Sequence, residues 1–484
     1  MNLIINKIHS FKGHKFFGLL CHSKNYFLGT AVVKAIALIS LPVMTRILSP
    51  SDYGVYSIFL SYSAIFLVVL TLYSYSALGR YYYEKQDDLD RYLGTSIVFT
   101  GAVLIVFFFI FLYLQKEIAF WLNIPRRTVV FLVPVVFFSV SRTWYDQLYI
   151  PQKKSKQIAI RNGLQSLFNF LLAVVLILLL KQNKYFGQIY AALIVGAVFS
   201  FYYYRVLKPY YRICFNFKYI KYMLGYSVPL MPYVLSSFIL AQFDRIMINS
   251  SAGSTQAGLY SFASNIGMLL TFVTSSLHLA WMPDYYQYLD DKNYQAIDHD
   301  AKKIFKIICL AGVFLIFFGK EIGMILADKS YHFALGAIPI IVIGYIFNAF
   351  FAFYGWNIAY EKKNIYLSIT VLISGAVNIA LNIIFIPRFG YMAAAVSTAV
   401  SYFIMALLAW IVSRFLLKLH TVPILLMGKP LVVILPFIVG YYILCNLNIG
   451  LWVCLIFKFG LFIILLYGLF YKGFLKIAKT TKSL

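Results

Sequence analysis

The sequence predicts an all-α, polytopic membrane protein, and three observations support this fold class. Hydrophobic residues make up 62% of the 484 residues, 12% are charged, and the mean hydropathy is +0.81. Soluble domains are only about 45–50% apolar and about 25% charged. The apolar residues also form runs of about 20 residues, which is the length that an α-helix needs to cross hydrocarbon. Strands of a transmembrane barrel are much shorter, at about 10 residues.

About fourteen membrane spans are expected, joined by short polar loops. A basic segment, residues 1–26, precedes the first span, and a basic tail, residues 473–484, follows the last. In chain order, the predicted spans are residues 27–47, 52–76, 93–115, 128–149, 158–180, 186–206, 223–248, 256–281, 304–325, 334–358, 366–386, 391–413, 424–446 and 451–471.

The basic residues behind the net charge of +26 are distributed unevenly between the two sides of the predicted topology. When the N-terminus is placed in the cytoplasm and the loops alternate, Lys and Arg on the cytoplasmic side exceed those outside by about three to one. Membrane proteins carry such an excess in their cytoplasmic loops. The distribution therefore predicts that both termini are cytoplasmic, and that the basic residues attract anionic membrane lipids rather than nucleic acid.

The chain also contains an internal repeat. TRIL at 45–48 is matched by DRIM at 244–247, and GVYS at 54–57 is matched by GLYS at 258–261. An even number of spans separates the matches, so both copies have the same orientation, as in the parallel repeats of secondary transporters. The repeat predicts two pseudo-symmetric six-helix lobes, residues 27–210 and 218–418, followed by an extra helix pair at 424–472.

Charged side chains inside the predicted spans are the main functional candidates. A charge in hydrocarbon is costly and usually faces a protein-lined path. Basic residues outnumber acidic ones in these spans, which predicts a large, amphipathic and anionic cargo. The basic residues are Lys34, Arg142, Arg245 and Lys458, and the acidic ones are Asp146 and Asp244.

Several of these residues have a structural alternative. Arg142 and Asp146 stand four positions apart, so an ion pair within one helix is the alternative to substrate binding. Asp244 and Arg245 are adjacent and point in different directions on a helix. We expect Arg245 to bind the cargo. Asp146 and Asp244 are candidates for an ion pair or for coupling transport to an ion.

The lysines and prolines of the spans also have either a functional or a structural interpretation. Lys34 is expected to face the substrate path, with snorkelling to the cytoplasmic edge as the alternative. Lys458 lies outside the repeated lobes and is expected to snorkel. Pro42, Pro229 and Pro232 each remove a backbone hydrogen bond. They make the first and seventh spans candidate gating helices, and static kinks that shape packing are the alternative.

Little in the sequence points to catalysis. The longest polar segment, residues 283–303, is rich in Asp, but its lysines offset the acids and we expect a solvated connector rather than a metal or acid–base site. The chain contains no G-x-x-x-x-G-K-[ST] run, so nothing indicates direct use of ATP. We therefore expect a transporter rather than an enzyme, with no cofactor and no metal.

Three stretches carry a family resemblance. They are LPVMTRIL at 41–48 with DYG at 52–54; YSVPLMP at 226–232 leading to Asp244 and Arg245, with AGLYS at 257–261; and Asn378 and Asn382 with the residues 386–395 that follow. These motifs resemble the Wzx-type oligosaccharide flippases, which belong to the superfamily that includes lipid II flippases and MATE multidrug exporters. The resemblance covers roughly residues 27–420.

The resemblance implies a function. Two six-helix lobes would surround a central cavity that opens to either side alternately. The cargo would be an undecaprenyl-pyrophosphate-linked oligosaccharide, moved from the cytoplasmic to the outer leaflet of the bacterial inner membrane. Arg46 corresponds to Arg245 in the repeat, so we expect Lys34, Arg46, Arg142 and Arg245 to contact the pyrophosphate. The expected partners are this lipid-linked substrate, membrane lipids, and the polysaccharide polymerase with its chain-length machinery.

Two rival functions are weighed against this one. A MATE-like, ion-coupled exporter of drugs or cations would place carboxylates along its path, whereas basic residues outnumber acids in these spans. A membrane glycan polymerase or ligase usually needs a long outer loop, whereas the predicted outer loops are short.

Overall fold

A computed structural model describes residues 14–84, 86–424, 435, 436, 439 and 451–481. These residues are almost entirely helical and include no β-strand, which confirms the predicted all-α class. Most of the predicted thirteenth span, residues 424–446, lies outside the described residues, as do residues 1–13 of the basic N-terminal segment.

Sixteen α-helices are labelled here within the described residues. They are α1 (His14–Ile47), α2 (Pro50–Val69), α3 (Ala77–Glu84), α4 (Leu89–Tyr113), α5 (Gln115–Leu122), α6 (Arg126–Tyr149), α7 (Ser155–Leu179), α8 (Tyr185–Leu207), α9 (Phe217–Phe238), α10 (Asp244–Gly267), α11 (Leu269–Asp290), α12 (Tyr294–Leu326), α13 (Ile338–Tyr360), α14 (Asn364–Phe389), α15 (Tyr391–Ile411) and α16 (Leu451–Thr481).

The helices overlap the predicted spans in the part of the chain that the structure describes, but α2 ends at Val69, before the predicted end at residue 76. Ten helical segments of the described part are long and apolar enough to cross a membrane, and one of them, Phe217–Asp290, contains two predicted spans. The break between those two spans is at Gly253, whose φ of 85° and ψ of 168° are non-helical. A positive φ favours glycine, which has no Cβ. A polytopic membrane protein is therefore confirmed, and the full count of fourteen spans stays a prediction.

The chain divides into two compact units. Unit 1 extends to Phe238 and includes Gly253–Gly258, whereas unit 2 contains Ile239–Ala252 and continues from Leu259. The boundary between the units therefore comes after α9 in the chain, whereas the predicted lobe boundary comes before α9, at residues 210–218. Helix α9 packs in unit 1 against α2, α4 and α3. The pairing of helices by the repeat stays a prediction.

Aromatic and polar contacts hold α9 in unit 1. The rings of Tyr81 and Tyr92 stack with centroids 3.9 Å apart, and Tyr222 of α9 packs edge-on to Tyr81 at 5.1 Å. Offset or edge-on ring pairs of this kind stabilise by about 0.5–1.5 kcal/mol beyond burial. Ser227 of α9 hydrogen-bonds Ser76, with 3.0 Å between the hydroxyl oxygens.

The two glycines found in the repeat meet within unit 1. A Cβ on Gly54 would lie 1.9 Å from the carbonyl oxygen of Ser254, and a Cβ on Gly258 would lie 1.9 Å from that of Pro50. The hydroxyl oxygens of Ser51 and Ser254 lie 2.8 Å apart beside this contact. The start of α2 and the turn around Gly253 therefore touch backbone to backbone, and only glycine fits at both positions.

Unit 2 is built around α13 and α15, its most extensive helix pair. Gly344 of α13 allows this approach, because a Cβ there would lie 3.1 Å from the Cα of Ala399 in α15. Helix α16 packs on α12 through aromatic pairs, with ring centroids of Phe318 and Phe459 4.7 Å apart. Helix α16, which lies outside the repeat, therefore belongs to unit 2.

Candidate functional site

In unit 1, a carboxylate and two guanidinium groups form a cluster between α6 and α7. Arg161 donates from Nη2 to Oδ1 of Asp146, while Arg142 Nε lies 3.7 Å from Asp146 Oδ2. The Arg142–Asp146 pair that the four-residue spacing predicts is therefore present. Side-chain exposure is 3% for Arg161, 24% for Asp146 and 47% for Arg142. The cluster has two cationic groups for one anionic group.

Arg161 is a candidate that the sequence analysis missed. Its Cζ lies 5.0 Å from the ring centroid of Tyr145 and 5.3 Å from that of Tyr203. Its buried Nε and Nη1 have no hydrogen-bond partner among the residues that the structure describes. Arg161 falls near the start of the predicted span 158–180, close to the basic residues of the loop before it. The apolar residues 158–160 that precede it were the signal that it lies inside the helix.

The other predicted cations of unit 1 lie on α1. Lys34 is half-buried in the middle of this helix, and Arg46 is exposed in its last turn. Pro42 lies inside α1, one turn before Arg46. The Oγ1 of Thr45 donates to the carbonyl oxygen of Leu41 at 3.0 Å. The substrate-binding roles of Lys34 and Arg46 and the gating role of Pro42 stay predictions.

In unit 2, Asp244 is surrounded by neutral donors. Its side chain is buried at 2% exposure at the start of α10, directly after a π-helical turn, Ile239–Phe243. Oδ1 accepts a hydrogen bond from Asn382 Nδ2 at 2.7 Å, and Oδ2 accepts from the Tyr260 hydroxyl at 2.6 Å and from Thr398 Oγ1. Helices α10, α14 and α15 each supply one of these donors.

Two asparagines of α14 extend the network around Asp244. Asn382 Nδ2 also donates to Asn378 Oδ1 at 3.2 Å, and both asparagines are fully buried. Asn378 Nδ2 and Asn382 Oδ1 have no partner within the described part of the chain. Both asparagines belong to the stretches that carry the family resemblance; Asn382 contacts the carboxylate directly, and Asn378 contacts Asn382.

Arg245 uses its donors within unit 2. Nε donates to Ser261 Oγ at 3.1 Å, and Nη1 donates to the Ala241 carbonyl oxygen at 2.9 Å and to Gln242 Oε1 at 2.8 Å. Because a π-helical turn disrupts the regular backbone ladder, this guanidinium stabilises the turn by binding one of its carbonyl groups. Asp244 and Arg245 therefore point to different partners, as their adjacent positions predict. The role of Arg245 as a substrate ligand stays a prediction.

Lys458 forms a buried ion pair, which corrects the expectation that its side chain reaches outward to snorkel. Its side chain is 1% exposed, and Nζ donates to Glu321 Oε1 of α12 at 2.6 Å. Glu321 itself is 16% exposed. The sequence offered no partner for Lys458 because Glu321 lies 137 positions away in the chain. The ion pair fixes α16 to α12 inside unit 2.

The prolines of α9 lie inside the helix. Pro229 and Pro232 interrupt its hydrogen bonding, and Ser236 Oγ donates to the Pro232 carbonyl oxygen at 2.8 Å. The π-helical turn Ile239–Phe243 follows within two turns of Pro232. A gating role for these prolines stays a prediction.

The acidic segment at 283–303 pairs with neighbouring basic side chains. Asp300 Oδ1 lies 3.2 Å from Lys303 Nζ, and Asp298 Oδ1 lies 3.2 Å from His420 Nε2. Among the described residues, no group of three or more His, Cys, Asp or Glu side chains is placed to hold a metal ion.

Apolar helices in two compact units, with charged groups buried inside each, define the class of polytopic membrane proteins. The fold is that of the transporter superfamily that contains lipid II flippases and MATE exporters. The chain is similar to "Lipid II flippase MurJ, inward closed conformation", with a TM-score of 0.75 and 15% identity over 93% of this chain and 99% of that one. It is also similar to an inward-facing MATE multidrug transporter, with a TM-score of 0.59 and 14% identity over 81% of this chain and 98% of that one.

The sequence comparisons define the family. Residues 25–287, more than half of the chain, match the family described as "Polysaccharide biosynthesis protein", and the chain belongs to this family. It is 25% identical to Lsg locus putative protein 1 of Haemophilus influenzae, over 55% of this chain and 66% of that protein. It is 22% identical to an uncharacterized membrane protein of Methanocaldococcus jannaschii, over 95% of this chain and 96% of that protein. The family resemblance stated from the sequence is confirmed, and the fold is that of the transporter structures named above.

Proposed function

We propose that this protein is a flippase that moves an undecaprenyl-pyrophosphate-linked oligosaccharide repeat unit from the cytoplasmic to the outer leaflet by alternating access. The observation that carries the proposal is the placement of guanidinium groups inside apolar helices of a chain from the polysaccharide biosynthesis family. The name of its structural neighbour, a lipid II flippase, supports the same class of cargo.

Physical chemistry explains why such a cargo needs buried cations. A pyrophosphate and a sugar chain must cross about 30 Å of hydrocarbon, where an unpaired charge is very costly. Fixed cations offset the loss of hydration, and arginine binds phosphate oxygens with two parallel donors. We propose that Lys34, Arg46, Arg142 and Arg245 supply these contacts while the prenyl tail stays in the lipid.

The location and partners of the protein follow from this proposal. The loop charges favour cytoplasmic termini in a bacterial inner membrane. The polysaccharide polymerase and the chain-length machinery are the proposed recipients of the translocated repeat unit.

Asp146 and Asp244 are the proposed coupling residues. Asp244 is the stronger candidate because the donors that its oxygens accept from, Tyr260, Asn382 and Thr398, are all neutral. A carboxylate whose hydrogen-bond donors are all neutral, with only the neighbouring Arg245 to offset its charge, can also be neutralised by a proton or a monovalent cation. Binding or release of that cation would change the energy of the helices α10, α14 and α15 that meet there.

Deletion of the gene tests the flippase function. The lipid-linked oligosaccharide should accumulate on the cytoplasmic leaflet, and surface glycan should be lost while glycan synthesis continues. Leaflet location is measured by the access of a membrane-impermeant lectin or glycosidase to right-side-out and inverted vesicles, with a complemented strain as the control. Normal arrival of the oligosaccharide at the outer leaflet in the deletion strain, or glycosyl transfer by the purified protein, would refute the proposal.

A MATE-like exporter is the second candidate. The buried Asp244 and the similarity to MATE structures favour it, because a carboxylate can bind cationic drugs or coupling ions. Uptake of a fluorescent cationic dye into inverted vesicles distinguishes the two functions. The exporter predicts ion-driven dye transport that depends on the protein, and the flippase predicts none.

A further inference from the structure

We propose that Arg142, Asp146 and Arg161 form a loading site in unit 1 that binds the pyrophosphate headgroup, with Asp146 occupying the place of the anion until it arrives. This inference rests on the proposed flippase function and assigns one of its steps to a defined set of residues. Arg161 is the principal ligand in this site.

The first observation is the unused hydrogen-bonding capacity of Arg161. The side chain is 3% exposed, and in the described part of the chain two of its nitrogen atoms, Nε and Nη1, donate no hydrogen bond of regular geometry, although the guanidinium also interacts with the Tyr203 hydroxyl. Buried donors are nearly always satisfied, because an unmade hydrogen bond is costly away from water. A buried arginine that serves only to hold helices together would be expected to form hydrogen bonds with all of its guanidinium nitrogens. Arg245 in unit 2 uses both Nε and Nη1.

The second observation is the charge balance of the cluster. Asp146 contacts both arginines, so one negative charge serves two positive charges. Tyr145 and Tyr203 lie within 5.3 Å of the Arg161 guanidinium, and their rings attract the cation without neutralising it. A pyrophosphate brings more than one negative charge and several acceptor oxygens, which matches the surplus of charge and donors.

The third observation is that Asp146 lies at an accessible edge of the cluster. Its side chain is 24% exposed and Arg142 is 47% exposed, so both reach an accessible edge of the cluster, whereas Arg161 forms its buried floor. A carboxylate and a phosphate bind the same face of a guanidinium. An arriving phosphate can therefore displace Asp146 from Arg161 while Arg142 binds the headgroup from the exposed side.

The position of the cluster suits the first contact with cargo. Asp146 precedes the end of α6 by one turn, and Arg161 lies two turns inside α7. At 1.5 Å per residue, both are within about 5–10 Å of the turn between the two helices. That turn belongs to a predicted cytoplasmic loop, where a lipid-linked precursor would enter. Lys154 in the same turn donates to the Tyr210 hydroxyl at 3.3 Å and adds positive charge at this end.

Binding of inorganic pyrophosphate to the purified full-length protein tests the site. Asp146→Asn should tighten binding about tenfold or more, because it removes the competing charge. Asparagine still accepts a hydrogen bond from Arg161, so this variant keeps a partner for the buried guanidinium. Arg161→Gln should weaken binding by about tenfold to a hundredfold, and Arg161→Lys should weaken it less. The affinities are measured by calorimetry, and gel filtration checks folding.

A surface ion pair provides the matched control. Arg80 and Glu84 have the same four-residue spacing as Arg142 and Asp146, but both are well exposed on α3. Glu84→Gln removes a carboxylate from an arginine in the same way as Asp146→Asn, and it should leave pyrophosphate affinity unchanged. Equal tightening in both variants would show a general charge effect and overturn the site.

The outcomes separate this inference from the flippase proposal. Unchanged or weaker pyrophosphate binding by folded Asp146→Asn protein overturns the loading site, whatever the deletion strain shows. If Arg161→Gln does not fold, Asp146→Asn alone decides. Undecaprenyl pyrophosphate in phosphatidylcholine nanodiscs should compete with inorganic pyrophosphate, and failure to compete would exclude the lipid-linked headgroup as the ligand. A site that behaves as expected in a protein without flippase activity would instead refute the proposed function.

Discussion

The two units hold a buried carboxylate in opposite ways. In unit 1, Asp146 is bound by two guanidinium groups, and Arg161 still has unsatisfied donors. In unit 2, Asp244 accepts hydrogen bonds from two hydroxyl groups and one amide. The neighbouring Arg245 donates to the carbonyl oxygen of Ala241 and to side chains nearby. One cluster has an excess of positive charge, and the other has a negative charge that only neutral groups contact.

This difference assigns two tasks of the proposed flippase to different units. An excess of buried cationic donors favours an anion, so unit 1 is suited to the headgroup of the cargo. A buried carboxylate among neutral donors favours a proton or a metal cation, so unit 2 is suited to coupling. Substitutions in each cluster test whether the two units can be inactivated separately.

Substitution of Asp244 should have the largest effect. Asp244→Ala leaves the buried donors of Tyr260, Asn382 and Thr398 without their acceptor, at about 1–3 kcal/mol for each. Asp244→Asn keeps the shape and some of the hydrogen bonds but removes the charge. We expect Asp244→Ala to lower both stability and transport, and Asp244→Asn to abolish ion-dependent transport in a protein that still folds. Transport is measured as surface glycan in a complemented deletion strain, and stability is measured as the melting temperature in detergent.

The pyrophosphate affinity of Asp244→Asn provides the comparison with unit 1. It should equal that of the unchanged protein, because the hydrogen-bond partners of Asp244, which are Tyr260, Asn382 and Thr398, do not belong to the loading site. Normal glycan export by Asp244→Asn at normal expression would remove Asp244 from the coupling mechanism, and loss of pyrophosphate binding would show that the tasks are not separate.

Arg46 and Arg245 should differ from each other, although the sequence repeat makes them equivalent. Arg245 is 5% exposed and binds the π-helical turn, whereas Arg46 is exposed at the end of α1. Arg245→Ala should therefore lower the melting temperature as well as glycan export. Arg46→Ala should lower export without loss of stability. Lysine at either position should restore export in part, because it keeps the positive charge but loses the planar guanidinium that binds two phosphate oxygens at once.

The double variant decides whether both residues belong to the substrate path. Arg46→Ala combined with Arg245→Ala should export no glycan, with protein levels checked by immunoblotting. Normal surface glycan from this protein would remove both arginines from the substrate site. Equal melting temperatures for the two single variants would show that the bond from Arg245 to Ala241 contributes little.

The fold was predictable because membrane helices are encoded locally. A run of about 20 apolar residues is enough to define a span, and only helices or closed barrels satisfy the backbone in hydrocarbon. The glycines of the repeat, Gly54 and Gly258, were also visible in the sequence. Their contact was not, because the repeat indicates equivalent positions and gives no distances between them.

The candidate site was predictable only in part, because its partners are distant in the chain. The Arg142–Asp146 pair followed from spacing on one helix. Arg161 and Glu321 were missed, since their contacts cross between helices that pack side by side. Periodicity shows which residues share a face of one helix, but it does not show which neighbouring helix covers that face.

The Lys458–Glu321 pair tests whether a buried charge can be purely structural. Lys458→Ala leaves Glu321 without its cation, and loss of one partner of a buried pair costs about 3–5 kcal/mol. We expect a lower melting temperature and weaker export. Adding Glu321→Gln should recover most of the stability, because no charge is then left unpaired. Failure of the double variant to recover stability, or loss of pyrophosphate binding in it, would assign these residues a role beyond attaching α16.

The smallest effect is expected at the surface pair of Arg80 and Glu84. Its spacing equals that of Arg142 and Asp146, but the side chains are 55% and 36% exposed, so water screens the charges. The hydrogen bond from Arg80 to Glu84 raises the pKa of this arginine, which is protonated with or without the contact throughout the working pH range. The pair therefore adds no pH dependence through Arg80. We expect Arg80→Gln to leave melting temperature and glycan export unchanged between pH 6 and pH 8, conditions chosen around neutrality where carboxylates stay ionised. A loss of export similar to that of Arg142→Gln would show that spacing along a helix, rather than position beside the buried Arg161, makes an arginine functional in this protein.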